Sequence, residues 1–241
     1  MLIKTKGIII RTKKYSESSI IADIYTEAKG MRSYIVSGVR AKKSKFPPGL
    51  LQVTSLTDMV AYHRDDKNLT RIKEIRAAHV YQRLTFETVR RSVGIFMAEI
   101  VRKTIRETEE NAELFNFLYD NFVLLDKTEH SVANLPLSFL VNLSAFLGFL
   151  PGGDFTEETP FFDLREGNFV PYGFDHSYFL DEELSVVLDK LLHIAPDRVH
   201  EVAVSRSQRK LLLGHLLDYF ALHIENMPQI NSHEILEEVF S

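Results

Sequence analysis

The spacing of apolar residues along this chain changes near residue 80, from strand-like alternation to mostly helix-like repeats. Gly7-Ile8-Ile9-Ile10 is a β-branched run, and residues 19–25 alternate between two apolar faces. Glu27-Ala28-Lys29-Gly30 then supplies a turn ending in glycine. Residues 31–39 predict a third strand, closed by Gly38. Residues 50–62 predict a long fourth, with Val53, Leu56, Met59 and Val60 as its apolar positions. Asp65-Asp66-Lys67-Asn68 reads as a polar hairpin turn, and residues 69–75 return as a fifth strand.

Beyond that point the apolar residues stack at helical spacing. Val89, Val93, Phe96, Ile100 and Thr104 share one face, and Leu114, Leu118, Phe122 and Leu125 repeat the pattern. Residues 135–150 are apolar nearly all round, which predicts a helix at a bundle centre, stopped by Pro151-Gly152-Gly153. Residues 181–192 open on three acids, where a helix dipole favours them. Ser205 to Gln208 has the capping-box form and opens a long helix to about Asn226, before Pro228; Ser232 caps a short last helix. Between these helices Phe161-Phe162-Asp163-Leu164 and Phe169-Val170-Pro171-Tyr172, hinged at Arg165-Glu166-Gly167-Asn168, predict a small β-hairpin laid on the bundle. The fold class is α+β: a small antiparallel barrel or sandwich over residues 1–80, then a helical domain over 81–241. The oligonucleotide-binding (OB) barrel is the five-stranded member of the first group. Residues 76–83 lack a Pro/Gly/Ser linker, which predicts rigid packing of the two parts.

Charge divides at the same place. Residues 1–83 hold 17 Lys and Arg against 7 Asp and Glu, a net +10, while the remainder holds 12 against 26, a net −14. Such asymmetry points to a nucleic-acid-facing module beside a different one. With no cysteine, the chain excludes disulfides, thiolate metal sites and cysteine nucleophiles. The opening Met1-Leu2-Ile3-Lys4-Thr5-Lys6 lacks a signal-peptide apolar region and no run is long enough to span a bilayer, which makes the cytoplasm the expected compartment.

The densest cationic segment is Gly38-Val39-Arg40-Ala41-Lys42-Lys43-Ser44-Lys45-Phe46-Pro47-Pro48. Its four cations have no acid nearer in sequence than Glu27 and Asp58. Cations beside a ring suit phosphate neutralisation with base stacking. A solvated loop is the competing reading. Arg11, Lys13, Lys14 and Arg32 are candidates to join that loop in one groove, with Tyr15 and Phe46 as the stacking rings. Tyr25, Tyr34 and Tyr62 read as barrel core or lip. Catalytic patterns are missing: there is no phosphate loop, no dinucleotide fingerprint and no nucleophile elbow. The nine histidines show no metal-ligand spacing, and Glu107, Glu109 and Glu110 read as a solvated helix end. No catalytic residue, metal site or cofactor is expected.

Residues 7–19, then Thr26 to Gly30, then Gly38-Val39-Arg40 with Lys42 to Phe46, resemble the opening of the RecO family of bacterial recombination mediators. Ser205-Arg206-Ser207-Gln208-Arg209-Lys210-Leu211-Leu212 is similar to that family's last long helix. The resemblance runs nearly the whole chain in order. It implies an N-terminal OB barrel, a helical C-terminal domain and a place in the RecFOR pathway of DNA repair and recombination. It further implies binding of single- and double-stranded DNA, strand annealing, and help in loading RecA onto DNA coated by single-strand-binding protein (SSB). RecR and the acidic, apolar-ended C-terminal tail of SSB are the implied partners. Many relatives carry a four-cysteine zinc site after the buried helix. This chain has no cysteine there, so the aromatic hairpin at about 160–173 is expected to replace the metal by packing.

The implied mechanism needs no bond chemistry, since cations that neutralise two strands let base pairing proceed. The acidic part suits protein docking. A pocket for an acidic, apolar-ended tail needs an apolar floor with a basic rim, for which Arg206, Arg209 and Lys210 are the candidates. Cations at a helix N-terminus oppose the dipole, which favours a role beyond solvation. Two other readings compete: an OB-type nucleic-acid-binding module without recombination partners, and a metal-dependent nuclease.

Overall fold

The computed structural model describes residues 1–39, 46, 48–64, 69–106, 108–173 and 175–240. The chain forms two compact units, Met1–Phe86 with Ala98–Asp126, and Glu87–Met97 with Lys127–Ser241. The first holds 20 Lys and Arg against 14 Asp and Glu, the second 9 against 19.

Five strands close the barrel of the first unit: β1 (Leu2–Lys14), β2 (Ile20–Thr26), β3 (Gly30–Val36), β4 (Leu56–Tyr62) and β5 (Leu69–Ala77), in the order β1-β2-β3-β5-β4. Four of the five seams are antiparallel and β3–β5 is parallel. The all-antiparallel expectation is thereby corrected, for a reason of parity: an odd number of strands cannot alternate direction around a closed ring. The long first strand serves two seams, pairing with β4 from Leu2 to Ile8 and with β2 from Gly7 to Lys14, with a bulge between Ile9 and Arg11. Gly7 sits where both ladders overlap, and a Cβ there would stand 2.6 Å from Ile24 Cγ2. The Ile8-Ile9-Ile10 run is buried on both faces. Ile9 joins Ile24, Tyr34, Met59 and Ile72 in the barrel core.

The fourth strand is shorter than expected. Residues 48–51 form a 3-10 turn, and Thr54 has φ +79, a costly value for a β-branched residue. Thr54 is held there by its N–H donating to Ile9 O at 2.7 Å and by Tyr81 Oη donating to its carbonyl at 2.6 Å. The strand begins only at Leu56. The expected hairpin turn at 65–68 lies outside the described residues.

Helix α1 (Thr88–Thr104) buries Val93, Phe96, Ile100 and Thr104, and α2 (Ala112–Lys127) buries Leu114, Leu118, Phe122 and Leu125, the faces read from sequence. Within the first unit α2 lies on the barrel: Phe115 stacks on Tyr25 at 6.3 Å, and Lys6 Nζ stands 5.5 Å above the Tyr119 ring. Asp126, at its end, accepts the backbone N–H groups of Gln82, Arg83 and Leu84 at 2.9 to 3.0 Å and approaches His79 Nε2 at 2.9 Å. Burial pushes this carboxyl's pKa up most, but the bonds from Leu84, Arg83, His79 and Gln82 outweigh it and hold the pKa below the ordinary value.

In the second unit α3 (Leu135–Phe146) is buried along most of its length. It ends four residues before the predicted stop because Gly148 takes φ +87 and closes the helix end, with Phe149 N–H donating to Ser144 O at 3.0 Å. Strands β6 (Phe161–Asp163), β7 (Asn168–Val170) and β8 (Phe179–Leu180) form a sheet of order β7-β6-β8, one strand more than the expected hairpin. Helix α4 (Glu182–His193) is capped by Asp181. Helix α5 (Arg206–His223) carries both bonds of the capping box between Ser205 and Gln208. In α6 (Ser232–Val239) the cap position belongs to Asn231, and Ser232 is the first helical residue rather than the cap.

The small sheet is fixed to α5 by rings. Phe162 lies 5.1 Å from Phe169 and 5.8 Å from Tyr219, and Phe149 lies 5.0 Å from Phe220. Tyr219 Oη donates to Phe149 O at 2.5 Å, and burial pushes its pKa up to about 12. Gly167, at φ +68, leaves room for that hydroxyl, which a Cβ would meet at 2.9 Å. No group of three or more His, Asp or Glu among the described residues could hold a metal ion. No helix among them is long and apolar enough to cross a membrane.

Candidate nucleic-acid interface

Register places part of the predicted site on one outer face of the barrel. Lys13 pairs with Ile21, Ile21 with Ile35, and Ile35 with Arg71, so these four form one row across β1, β2, β3 and β5. The adjacent row runs Arg11, Asp23, Ser33 and Leu69. Inward positions such as Ala22, Tyr34 and Ile72 are buried, so both rows face away from the barrel core. Lys13 and Arg71 are exposed, while Ile21 and Ile35 between them are half-buried. The row therefore offers an apolar strip with a cation at each end. Arg11 is partly neutralised by Asp23, at 3.9 Å, whose other oxygen accepts Ser33 Oγ at 2.5 Å.

Lys14 falls one step from Lys13 and pairs with Ile20, so it alternates to the opposite face at the barrel lip, and Tyr15 enters the β1–β2 turn, where the Tyr15 and Ser16 N–H groups donate to Ser19 O at 3.0 and 3.1 Å. That turn leaves the Tyr15 ring 57% exposed, as a stacking platform must be. Tyr25 and Tyr34 are fully buried, and burial pushes the Tyr34 hydroxyl up to about 12. Arg32 falls one step from the Arg11 row and alternates to the opposite face, shared with Ile24 and Tyr34. Its guanidinium donates to Lys29 O at 3.2 Å and Thr108 O at 2.8 Å, which ties it inside the unit. Phe46 packs against the barrel core as a partly buried side chain. The cations Arg40, Lys42, Lys43 and Lys45 lie outside the described residues. Arg71 was not among the sequence candidates. The alternation around Ile72 turns it outward, but only the parallel β3–β5 register sets it opposite Ile35.

In the second unit Arg206, Arg209 and Lys210 do come together. They line a pocket of about 360 Å³ whose apolar surface is drawn from Pro136, Leu137, Leu213, Leu236 and Phe240. The expected rim is only partly cationic, because Glu234, Glu237 and Glu238 of α6 line it too. Arg209 is braced: its Nε donates to Asn134 Oδ1 and one terminal nitrogen to Val204 O, both at 3.0 Å, while its guanidinium stands 5.9 Å from the Phe240 ring. Burial draws its pKa below the usual guanidinium value. Lys210 Nζ pairs with Glu237 Oε2 at 2.7 Å. Arg206 is exposed at the first turn of α5 and has no ion pair among the described residues.

A closed five-stranded barrel with an outer cationic face, followed in sequence by helices and a small aromatic sheet, defines an OB-barrel protein with a helical second part. Comparison with known proteins narrows the class. The chain matches the family described as Recombination protein O N terminal over residues 1–81, and Recombination protein O C terminal over residues 87–232. It is 34% identical to the DNA repair protein RecO of Phocaeicola vulgatus, 33% to that of Christiangramia forsetii and 32% to that of Flavobacterium psychrophilum. Each alignment covers 100% of both chains. The chain belongs to the RecO family of DNA repair proteins.

Proposed function

We propose that this protein is a non-enzymatic recombination mediator that binds single- and double-stranded DNA, anneals complementary strands and helps load RecA onto SSB-coated DNA. The observation that carries the reading is the outer face of the barrel, where Lys13 and Arg71 flank Ile21 and Ile35 in one register row. Phosphates meet the cations, bases meet the apolar strip and the exposed Tyr15 ring, and the face is sequence-neutral because it offers no fixed donor–acceptor code. Arg11, Lys13, Lys14 and Tyr15, with the loop cations Arg40, Lys42, Lys43 and Lys45, are the proposed contacts, and Arg71 is added to them. Arg32 and Phe46 are left out because their side chains are engaged within the unit. With phosphate charge neutralised on two strands, the repulsion between complements falls and base pairing completes the annealing.

The pocket at Arg206, Arg209 and Lys210 is the proposed seat for the SSB tail, whose acids suit its cations and whose apolar end suits Pro136, Leu137 and Leu213. RecR is the second proposed partner. The division into a DNA-binding domain at 1–80 and a helical domain at 81–241 follows this assignment of roles, and such work places the protein in the cytoplasm with the nucleoid. The test is annealing of SSB-coated complementary oligonucleotides. The protein should accelerate it, and a variant with Ala at Arg40, Lys42, Lys43 and Lys45 should not. Equal annealing by both proteins would remove the loop from the site, and magnesium-dependent cleavage of labelled DNA would replace the reading with a nuclease.

A further inference from the structure

The pocket at Arg206, Arg209 and Lys210 is walled on one side by the chain's own last helix, and that helix has the chemistry of the pocket's proposed ligand. Helix α6 carries Glu234, Glu237 and Glu238 among Ile235, Leu236 and Val239, and Phe240 follows it. Its Glu237 takes Lys210, and the ring of Phe240, the residue just after it, lies under Arg209. An incoming acidic, apolar-ended peptide needs those same two cations.

The charge arrangement within each helix supports pairing between the two rather than local stability. The first turn of α5 has no acid and opens on Arg206, with Arg209 and Lys210 close behind. The last turn of α6 has no base, and Glu237 and Glu238 lie near its end. Each set opposes its own helix dipole, and each is offset by the other. Pairing Lys210 with Glu237 relieves one cation and one acid at once. Lys210 is exposed, at 63%, and Glu237 is half-buried, at 33%, so solvent screens the pair and its strength is modest.

The path of the chain makes α6 a tethered segment. Residues 224–231 link it to α5, and Met227, Pro228, Gln229 and Ile230 line a groove with Gly214, Leu217 and Ala221, so the link folds back along α5. A tether this short holds its end at an effective concentration on the order of millimolar.

We propose that α6 is a built-in competitor for this pocket, which an acidic, apolar-ended peptide enters by displacing Glu237 from Lys210 and Phe240 from Arg209. This rests on reading the pocket as the docking place for such a peptide, and it adds a regulator to that site. The apparent affinity of the peptide is reduced by the fraction of molecules in which α6 is seated.

The test is fluorescence anisotropy with a labelled synthetic peptide of three aspartates followed by isoleucine and phenylalanine, at low salt. It uses the full chain, the full-chain double variant Glu237→Gln/Phe240→Ala, and each of these with Lys210→Gln. The double variant keeps Leu236, the buried anchor of α6, and its thermal melt checks that the fold survives. The expected result is about tenfold tighter binding by the double variant, abolished in both backgrounds by Lys210→Gln. Equal affinity for the full chain and the double variant, with Lys210→Gln still weakening both, overturns the competitor and leaves the docking reading in place. If the peptide binds neither protein, the docking reading falls, and a labelled peptide of residues 231–240 decides the rest. Binding of that peptide by the double variant alone sustains α6 as the occupant of the site, and binding by neither overturns it.

Discussion

The two units hold their cations in opposite ways. On the barrel, Lys13 and Arg71 stand at the two ends of one register row, and neither has an ion-pair partner among the described residues. In the helical unit, Arg209 is braced by Asn134 and Val204 and Lys210 is taken by Glu237. A face of unengaged cations on a rigid sheet suits a ligand that is itself a run of charges. A pocket whose cations are already engaged suits a ligand that must exchange with what is there. The barrel should therefore answer to salt, and the helical unit to packing.

The largest expected effect separates the two by ionic strength. If about six phosphates are contacted, DNA affinity should fall roughly a thousandfold between 50 and 200 mM salt. The Arg40, Lys42, Lys43 and Lys45 to Ala variant should flatten that slope in an anisotropy titration, and an unchanged slope would sink the loop assignment. Next comes packing in the helical unit, where Phe162 is fully buried between Phe169 and Tyr219. Phe162→Ala should cost about 3 kcal/mol in a denaturant melt. A chelator should leave the wild-type midpoint where it was; a fall on adding chelator would show that a metal, and not the rings, secures the small sheet.

Asp126 gives a smaller effect, placed in the first unit but owing nothing to DNA. Asp126→Asn weakens the acceptor for three backbone N–H groups and should cost about 2 kcal/mol. Because the folded pKa lies below the unfolded value, this contribution is complete above about pH 4 and is lost as pH falls through the folded pKa. The variant should thus lose less stability than wild type between neutral and acid pH, and parallel acid melts would refute it. The smallest effect tests the stacking ring. Tyr15→Ala should weaken single-stranded DNA binding about tenfold and leave the melt unchanged, because the ring is largely exposed.

What was legible in the sequence was local. The capping box at Ser205 and Gln208 and the helical faces of α1 and α2 depend on residues a few positions apart, and they form as read. Five strands were countable from their turns, and once they close into a ring the count requires a parallel seam, but not which one. The β3–β5 pairing joins residues some 36 positions apart, so the juxtaposition of Arg71 with Ile35 and Lys13 was hidden. Arg209 and Asn134 are 75 positions apart and Asp126 lies 42 to 44 from the amides that it holds, so both bonds escaped pattern reading. Phe46 shows the converse, since an aromatic beside cations also fits a residue that plugs a barrel, and its neighbours in sequence do not say which.

The parallel seam has a mechanical consequence. It is pinned by three residue pairs, Ser33 with Leu69, Tyr34 with Thr70 and Ile35 with Arg71, whereas the four antiparallel seams have five to seven each. A ring under thermal load parts first at its shortest weld. The row from Lys13 to Arg71 bridges that weld, so a polyanion lying on the row acts as a splint across it. Amide hydrogen exchange at the start of β5 should then slow when DNA binds, while the β1–β4 seam exchanges as before. On the proposed reading, holding DNA and holding the barrel shut would be one event.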